Sequence, residues 1–157
     1  MSTAPTLARS YEALRPRVLE RVLELRATLD PSLGRLEDAT ARAQIGAVLD
    51  HLGNFLATGD LGLHRGFLHT FLAMRAAEAQ SPASVLAMLV AIGDTAAQVA
   101  QEDATGSAGS DGAELTLLLT RVTASTARAM NDLLAEELGR RAAQRAELAR
   151  RAHEVEP

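Results

Sequence analysis

Three residue types that carry much of protein chemistry are missing from the 157-residue chain, namely cysteine, lysine and tryptophan. The absence of cysteine excludes disulfides, thiolate metal sites and cysteine nucleophiles. The absence of lysine excludes Schiff-base chemistry and the lysine of a phosphate-binding P-loop. Aromatic residues make up only 3 % of the chain, whereas hydrophobic residues make up 47 %. The sequence therefore predicts one domain with an aliphatic core.

The charge and the hydropathy of the chain indicate whether it binds nucleic acid or a membrane. All 16 basic residues are arginines spread along the chain, and the net charge is −4, which argues against a nucleic-acid-binding protein. No apolar run approaches the ~18 residues of a membrane-spanning helix. The first residues, MSTAPTLARSYE, lack the apolar segment of a signal peptide. We expect a cytoplasmic protein that binds neither nucleic acid nor a membrane.

Hydrophobic residues recur every three or four positions, and no alternating strand pattern is found, so the sequence predicts an all-α protein. The predicted fold is a bundle of four to five helices, either plain or globin-like, with a long C-terminal helix that extends beyond the bundle. Capping residues, prolines and glycines set the helix limits. The predicted helices are 6–29, 36–57, 61–79, 82–103 and a last helix from 113 nearly to the C-terminus.

The stretch TGSAGSDG, residues 105–112, is predicted as a flexible loop between the last two helices. It is not a domain boundary, because neither half of the chain would bury its apolar faces alone. We divide the chain into a helical bundle domain, residues 1–135, and a charged extension of the last helix, residues 136–157.

Two histidines of the third predicted helix raise the question of a metal site. His64 and His69 are five residues apart, about 140° around a helix, so they cannot chelate one ion as an i, i+4 pair would. No Glu-x-x-His motif is present, and His51 is placed at the border of the polar side of the second helix. We predict no metal site. The favoured interpretation of His64 is a neutral core histidine that bonds to a backbone carbonyl or to Asp60.

Functional roles for His64 and Arg75 remain open as alternatives. His64 is a candidate axial ligand of a haem. The favoured role of Arg75 is a pair with Glu78 or a contact with another helix end, and the alternative is a clamp for a ligand carboxylate. His69 lacks the His-x-x-Lys-Gly context of a phosphotransfer histidine. With no nucleophile elbow and no phosphate-binding loop, we predict a protein that is not an enzyme and has no cofactor. The candidate ligand pocket consists of Phe55, His64, Phe67, Phe71 and Arg75.

The last predicted helix carries apolar residues at the alternating spacing of a coiled-coil seam. After Leu134 the sequence becomes rich in charged residues, EELGRRAAQRAELARRAHEVE. Arg141 and Arg145 occupy seam positions in this segment. We predict a homodimer whose interface is made by helices that include this one, with its first part carrying the association and its tail remaining mobile. A competing account packs residues 115–133 inside the protomer's own bundle. The candidate interface residues are Leu115, Leu119, Val122, Ala129, Leu133, Leu138 and Leu148.

The run LDHLGNFLATGDLGLHRGFLHTFLAMRAAEAQSPASVLAMLVAIGD, residues 49–94, with the exit helix after it, resembles the N-terminal input domain of RsbR-type stressosome proteins. That resemblance implies a dimeric, all-α, globin-like module without haem, whose linker helix leads to a C-terminal STAS domain. A chain of this kind is either an input module alone or a free-standing relative. The leading hypothesis is thus a non-enzymatic regulatory or sensory module of a bacterial signalling system, acting on a partner signalling protein. The alternatives are a haem- or small-ligand-binding protein that uses His64, and a passive helical adaptor or scaffold.

Overall fold

A computed structural model describes residues 4–106 and 110–155 of the chain. Over these two ranges it contains helices and no strand, which confirms the all-α prediction. The helices are α1 Ala4–Leu29, α2 Pro31–Gly34, α3 Asp38–Thr58, α4 Leu61–Ala77, α5 Pro82–Gly106 and α6 Ser110–Val155. The five long helices match the predicted ones, and the bundle with a long last helix is confirmed.

The helix ends follow from local capping chemistry. The Asp30 carboxylate accepts hydrogen bonds from the backbone N–H groups of Ser32 and Leu33, at 2.7 and 3.1 Å, and so begins α2. Gly59 ends α3 in the left-handed conformation, at φ 65°, which costs glycine no steric strain. Asp60 then caps α4 through the Leu63 N–H at 3.0 Å. These caps turn the chain sharply between α3 and α4 and bring their side chains together.

The loop predicted at 105–112 is mostly helical. Residues 105–106 belong to α5 and residues 110–112 to α6, whereas residues 107–109 lie outside the described part of the chain. The two helices approach closely near this connection, because a Cβ at Gly112 would stand only 2.8 Å from the Cα of Ala104. Close packing between two helices thus overrides the preference of glycine and serine for a loop.

Helix α5 is long and apolar enough to cross a membrane by length and composition, with a mean hydropathy of 1.6. It was not predicted as such a candidate, because no apolar run approaching ~18 residues was found in the sequence. However, 56 % of its apolar window is buried inside the bundle. Its buried residues, among them Val85, Leu89 and Ile92, pack as a core helix does.

Helix α6 divides into a buried and an exposed part. Of the proposed interface residues, Leu115, Leu119, Val122 and Leu133 are buried in the protomer's own core, and Ala129 packs against that core. This corrects the proposed interface, since those four leucine and valine side chains have no surface left for a partner. The structure agrees with the competing account, in which residues 115–133 pack inside the protomer's own bundle.

Leu138 and Leu148 differ from the other interface candidates, because they are 66 % and 67 % exposed. From Leu138 to Glu154 every side chain except that of Glu147 is exposed. We call residues 138–155 the α6 extension. It measures about 27 Å at ~1.5 Å per residue.

Candidate functional site

A hydrogen-bonded row of polar side chains lies inside the bundle where α3, α4 and α6 meet. Nε2 of His51 lies 2.7 Å from Nδ1 of His64. Nε2 of His64 in turn lies 3.2 Å from Oγ1 of Thr126. His64 is only 3 % exposed, so this row connects three helices through the core.

The direction of the hydrogen bonds in this row follows from the bond that the Thr126 hydroxyl donates. Thr126 Oγ1 donates to the backbone carbonyl of Val122 at 2.9 Å, so it accepts from His64. His64 therefore carries its proton on Nε2 and accepts at Nδ1, where His51 donates from its own Nε2. The expected bond from the His64 side chain to a backbone carbonyl or to Asp60 is thus replaced by bonds to His51 and Thr126.

Both imidazoles are held in the neutral form. Burial, and secondly the charge of nearby His64, lowers the pKa of His51 from 6.5 to about 4. Burial also lowers the pKa of His64. A second proton on His64 would break the donor-to-acceptor order of the row, because its Nδ1–H would then face the Nε2–H of His51.

Aromatic side chains enclose the histidine pair. The ring of His51 stacks on that of Phe67, with centroids 3.9 Å apart, and Phe55 lies against His64 at 4.6 Å. The cavity beside these rings measures about 10 Å³, which is about one water-sized probe. Since both His64 nitrogens are engaged and the adjoining cavity is far too small for a porphyrin, the haem alternative gains no support from this geometry.

The other predicted histidine lies elsewhere. His69 is exposed and lines a separate cavity of about 200 Å³ between α4 and the end of the buried part of α6. Among residues 4–106 and 110–155, no group of three or more histidine, aspartate or glutamate side chains is placed to hold a metal ion.

A second polar feature lies between α3 and α4, beside a cavity of about 260 Å³. Apolar and small side chains form most of its wall, and Arg75 and Gln44 supply the strongly polar groups. The lining residues are Ala43, Gln44, Ala47, Phe67, Thr70, Phe71, Met74 and Arg75. We call this space the Arg75 cavity.

Arg75 is unusual because an arginine is rarely buried so completely. It is 5 % exposed, its Nη2 lies 3.1 Å from Oε1 of Glu78, and its guanidinium carbon lies 5.2 Å from the centre of the Phe71 ring. Its Nε and Nη1 are buried and have no hydrogen-bond partner in the described part of the chain.

Gln44 shares this arrangement. Its Nε2 donates to Oε2 of Glu78 at 3.4 Å, while its Oε1 is buried and also lacks a partner within the described residues. The two polar residues that line the Arg75 cavity thus hold two unsatisfied donors and one unsatisfied acceptor. A buried unsatisfied group costs about 1–3 kcal/mol, so these groups call for an explanation.

The structure brings part of the predicted ligand pocket together. Phe67, Phe71 and Arg75 line one cavity, whereas His64 and Phe55 belong to the histidine pair on the other side of Phe67. Sequence reasoning missed Gln44. The available signal was a polar residue on the inner face of α3, where its neighbours Ala41, Ile45 and Val48 are buried.

The protein is an all-α helical bundle with a hydrogen-bonded pair of one half-buried and one buried histidine and a buried, incompletely paired arginine. Comparison with protein-family models, with curated proteins and with solved structures gives no match.

Proposed function

We propose that the chain is a non-enzymatic regulatory or sensory input module of a bacterial signalling system. In this proposal it forms a homodimer and acts on a partner signalling protein through α6. The observation that carries the proposal is that one helix of 46 residues runs from the centre of the core to the exposed α6 extension.

The first half of α6 packs against α1, α4 and α5, and Thr126 joins it to the histidine pair. A change in core packing therefore shifts the axis of α6. Since a helix transmits such a shift along its length as a stiff element, the extension moves with the core.

Ion pairs in the α6 extension, and between it and the residue just before it, favour its helical form in the absence of neighbouring helices. Glu137 pairs with Arg140 and Arg141 at 2.8 and 2.9 Å, three and four residues away. Glu147 pairs in the same way with Arg150 and Arg151 at 2.9 and 2.7 Å. Each such pair adds only about 0.3–0.5 kcal/mol, so the extension gains more by packing against a second helix.

The seam of the extension is self-complementary when two copies run antiparallel. Leu138 and Leu148 lie five residues either side of position 143, and Leu134 and Ala152 lie nine either side of it. An antiparallel pair centred there would place Leu138 of one copy opposite Leu148 of the other. Arg141 would face Arg145, a repulsive layer that the Glu137 pair of Arg141 moderates.

Because the chain has no native cysteine, cross-linking tests this arrangement cleanly. We expect a mixture of Leu138→Cys and Leu148→Cys chains to form a disulfide-linked heterodimer under mild oxidation. Ala143→Cys is the matched control, since position 143 lies on the opposite side of the helix from this seam. Equal cross-linking of the Ala143→Cys control would contradict the arrangement, and so would the absence of cross-links from the mixture.

A further inference from the structure

We propose that the Arg75 cavity binds a small amphipathic carboxylate, with the carboxylate at Arg75 and the apolar part against α3 and α4. The inference deepens the proposed function, on which it rests for its regulatory role, by naming the class of signal. The binding itself is measured separately from dimerisation, so each proposal can fail without the other.

Arg75 has unmet hydrogen-bonding capacity. A guanidinium offers five N–H donors in a planar fork that matches a carboxylate. The only acceptor that the structure assigns to it in the described part of the chain is Glu78, which is bound through Nη2. Nε and Nη1 remain buried without a partner in these residues. A ligand carboxylate that replaces Glu78 at Nη2 can also accept from Nε or from Nη1, because each of these nitrogens forms a planar fork with Nη2.

Gln44, which lines the same cavity, has an unsatisfied Oε1. An amide oxygen accepts hydrogen bonds, so it favours a ligand that also carries a donor near its carboxylate, such as a hydroxyl or an amide N–H. Arg75 and Gln44 are already joined through the two oxygens of Glu78. The polar groups therefore form one cluster, which favours a ligand whose polar groups are adjacent.

The remaining wall of the Arg75 cavity is mostly apolar. Phe67, Phe71 and Met74 form it together with small side chains, which suits an aliphatic or aromatic ligand body. A phosphate or another small, fully hydrated anion would leave this wall unused and would meet a single arginine. The volume of about 260 Å³ lies just below the ~300–1,000 Å³ usual for drug-sized ligands, which favours a small molecule.

Glu78 competes with such a ligand for the same guanidinium. It is exposed, with half of its side chain accessible, so it can turn into solvent when a ligand carboxylate takes its place. We therefore expect removal of the Glu78 charge to strengthen binding. Stronger binding on loss of a charged neighbour is expected only if Arg75 binds a ligand, and not if its ion pair with Glu78 has a structural role alone.

The test is calorimetric titration of the full chain with hexanoate, decanoate, phenylpropanoate and 2-hydroxydecanoate, with decanol as the uncharged control. We expect saturable binding of at least one carboxylate. The unaltered chain is expected to bind decanol about tenfold or more weakly than decanoate, and the Arg75→Met variant is expected to bind the carboxylate about tenfold or more weakly than the unaltered chain does. Glu78→Gln is expected to bind several-fold more tightly, and circular dichroism verifies that each variant folds. Arg75→Lys keeps the charge and serves as the second variant if Arg75→Met does not fold; it is expected to bind several-fold more weakly than the unaltered chain.

The proposal is overturned if none of the four carboxylates binds. It is also overturned if decanol binds as tightly as decanoate, because the guanidinium would then contribute nothing. Equal affinity in a folded Arg75 variant, or weaker binding by Glu78→Gln, has the same consequence. None of these outcomes bears on the mass of the dimer.

Discussion

Gly93 of α5 lies so close to Thr123 of α6 that no side-chain carbon fits between the two helices. A Cβ at position 93 would stand 3.0 Å from Cγ2 and 3.1 Å from Cβ of Thr123. Thr123 cannot move away cheaply, because its Oγ1 donates to the carbonyl of Leu119 at 2.9 Å and its side chain is buried. This contact fixes how closely α5 and α6 approach in the middle of their length.

The substitution Gly93→Ala is expected to destabilise the protein by about 1–3 kcal/mol through overpacking, although alanine favours helix over glycine by about 1 kcal/mol. Gly66→Ala in α4 is the control, since nothing lies within 4 Å of a Cβ there, and it is expected to stabilise. Urea titration of both variants measures the difference. A Gly93→Ala variant at least as stable as the unaltered chain would show that the helices can separate freely.

Leu89→Ala tests the assignment of the core face of α5. Leu89 is 4 % exposed, and emptying such an aliphatic site costs about 2–5 kcal/mol. Met74→Ala, at a side chain that is 53 % exposed, is expected to cost less than about 1 kcal/mol. Denaturant midpoints measure both changes, and a loss below about 1 kcal/mol at position 89 would contradict the packing described.

The histidine pair predicts a specific dependence of stability on pH. The folded-state pKa of His51 is about 4 and that of His64 is also lowered, so the unfolded chain binds protons more readily below about pH 6.5. The two neutral histidines therefore make their full contribution to the free energy of unfolding above pH 6.5. This contribution falls by about 1–3 kcal/mol as the pH decreases toward 4. Unfolding by urea at several pH values measures it.

The matched variants for this pH dependence are His51→Phe combined with His64→Leu, and His69→Gln. The double variant is expected to lose most of the change between pH 6.5 and 4, whatever its absolute stability, because the two titrating groups are gone. The exposed His69→Gln variant is expected to keep it. An unchanged slope in the double variant would mean that other groups, such as surface carboxylates, cause the acid sensitivity.

Periodicity predicted the long helices because an apolar face must be buried along each of them. It missed α2, since the four residues PSLG are too short to show a period, and it left 105–112 as a loop because local propensity ignores helix packing. It placed His64 in the core but missed its contact with His51, which joins two helices and has no local signal. Nor can the spacing of Leu115 to Leu133 tell a protomer's own core from an interface, because both require the same stripe.

The mass of the full chain in solution tests the central claim, that a homodimer forms through the α6 extension. At ~100 µM, light scattering after size exclusion is expected to give twice the protomer mass of 16.6 kDa. Leu138→Glu combined with Leu148→Glu is expected to give the protomer mass, whereas Gly139→Glu combined with Ala143→Glu, away from the seam, is expected to remain dimeric. A monomeric unaltered chain, or a dimer that survives the Leu138→Glu and Leu148→Glu changes, would contradict the account.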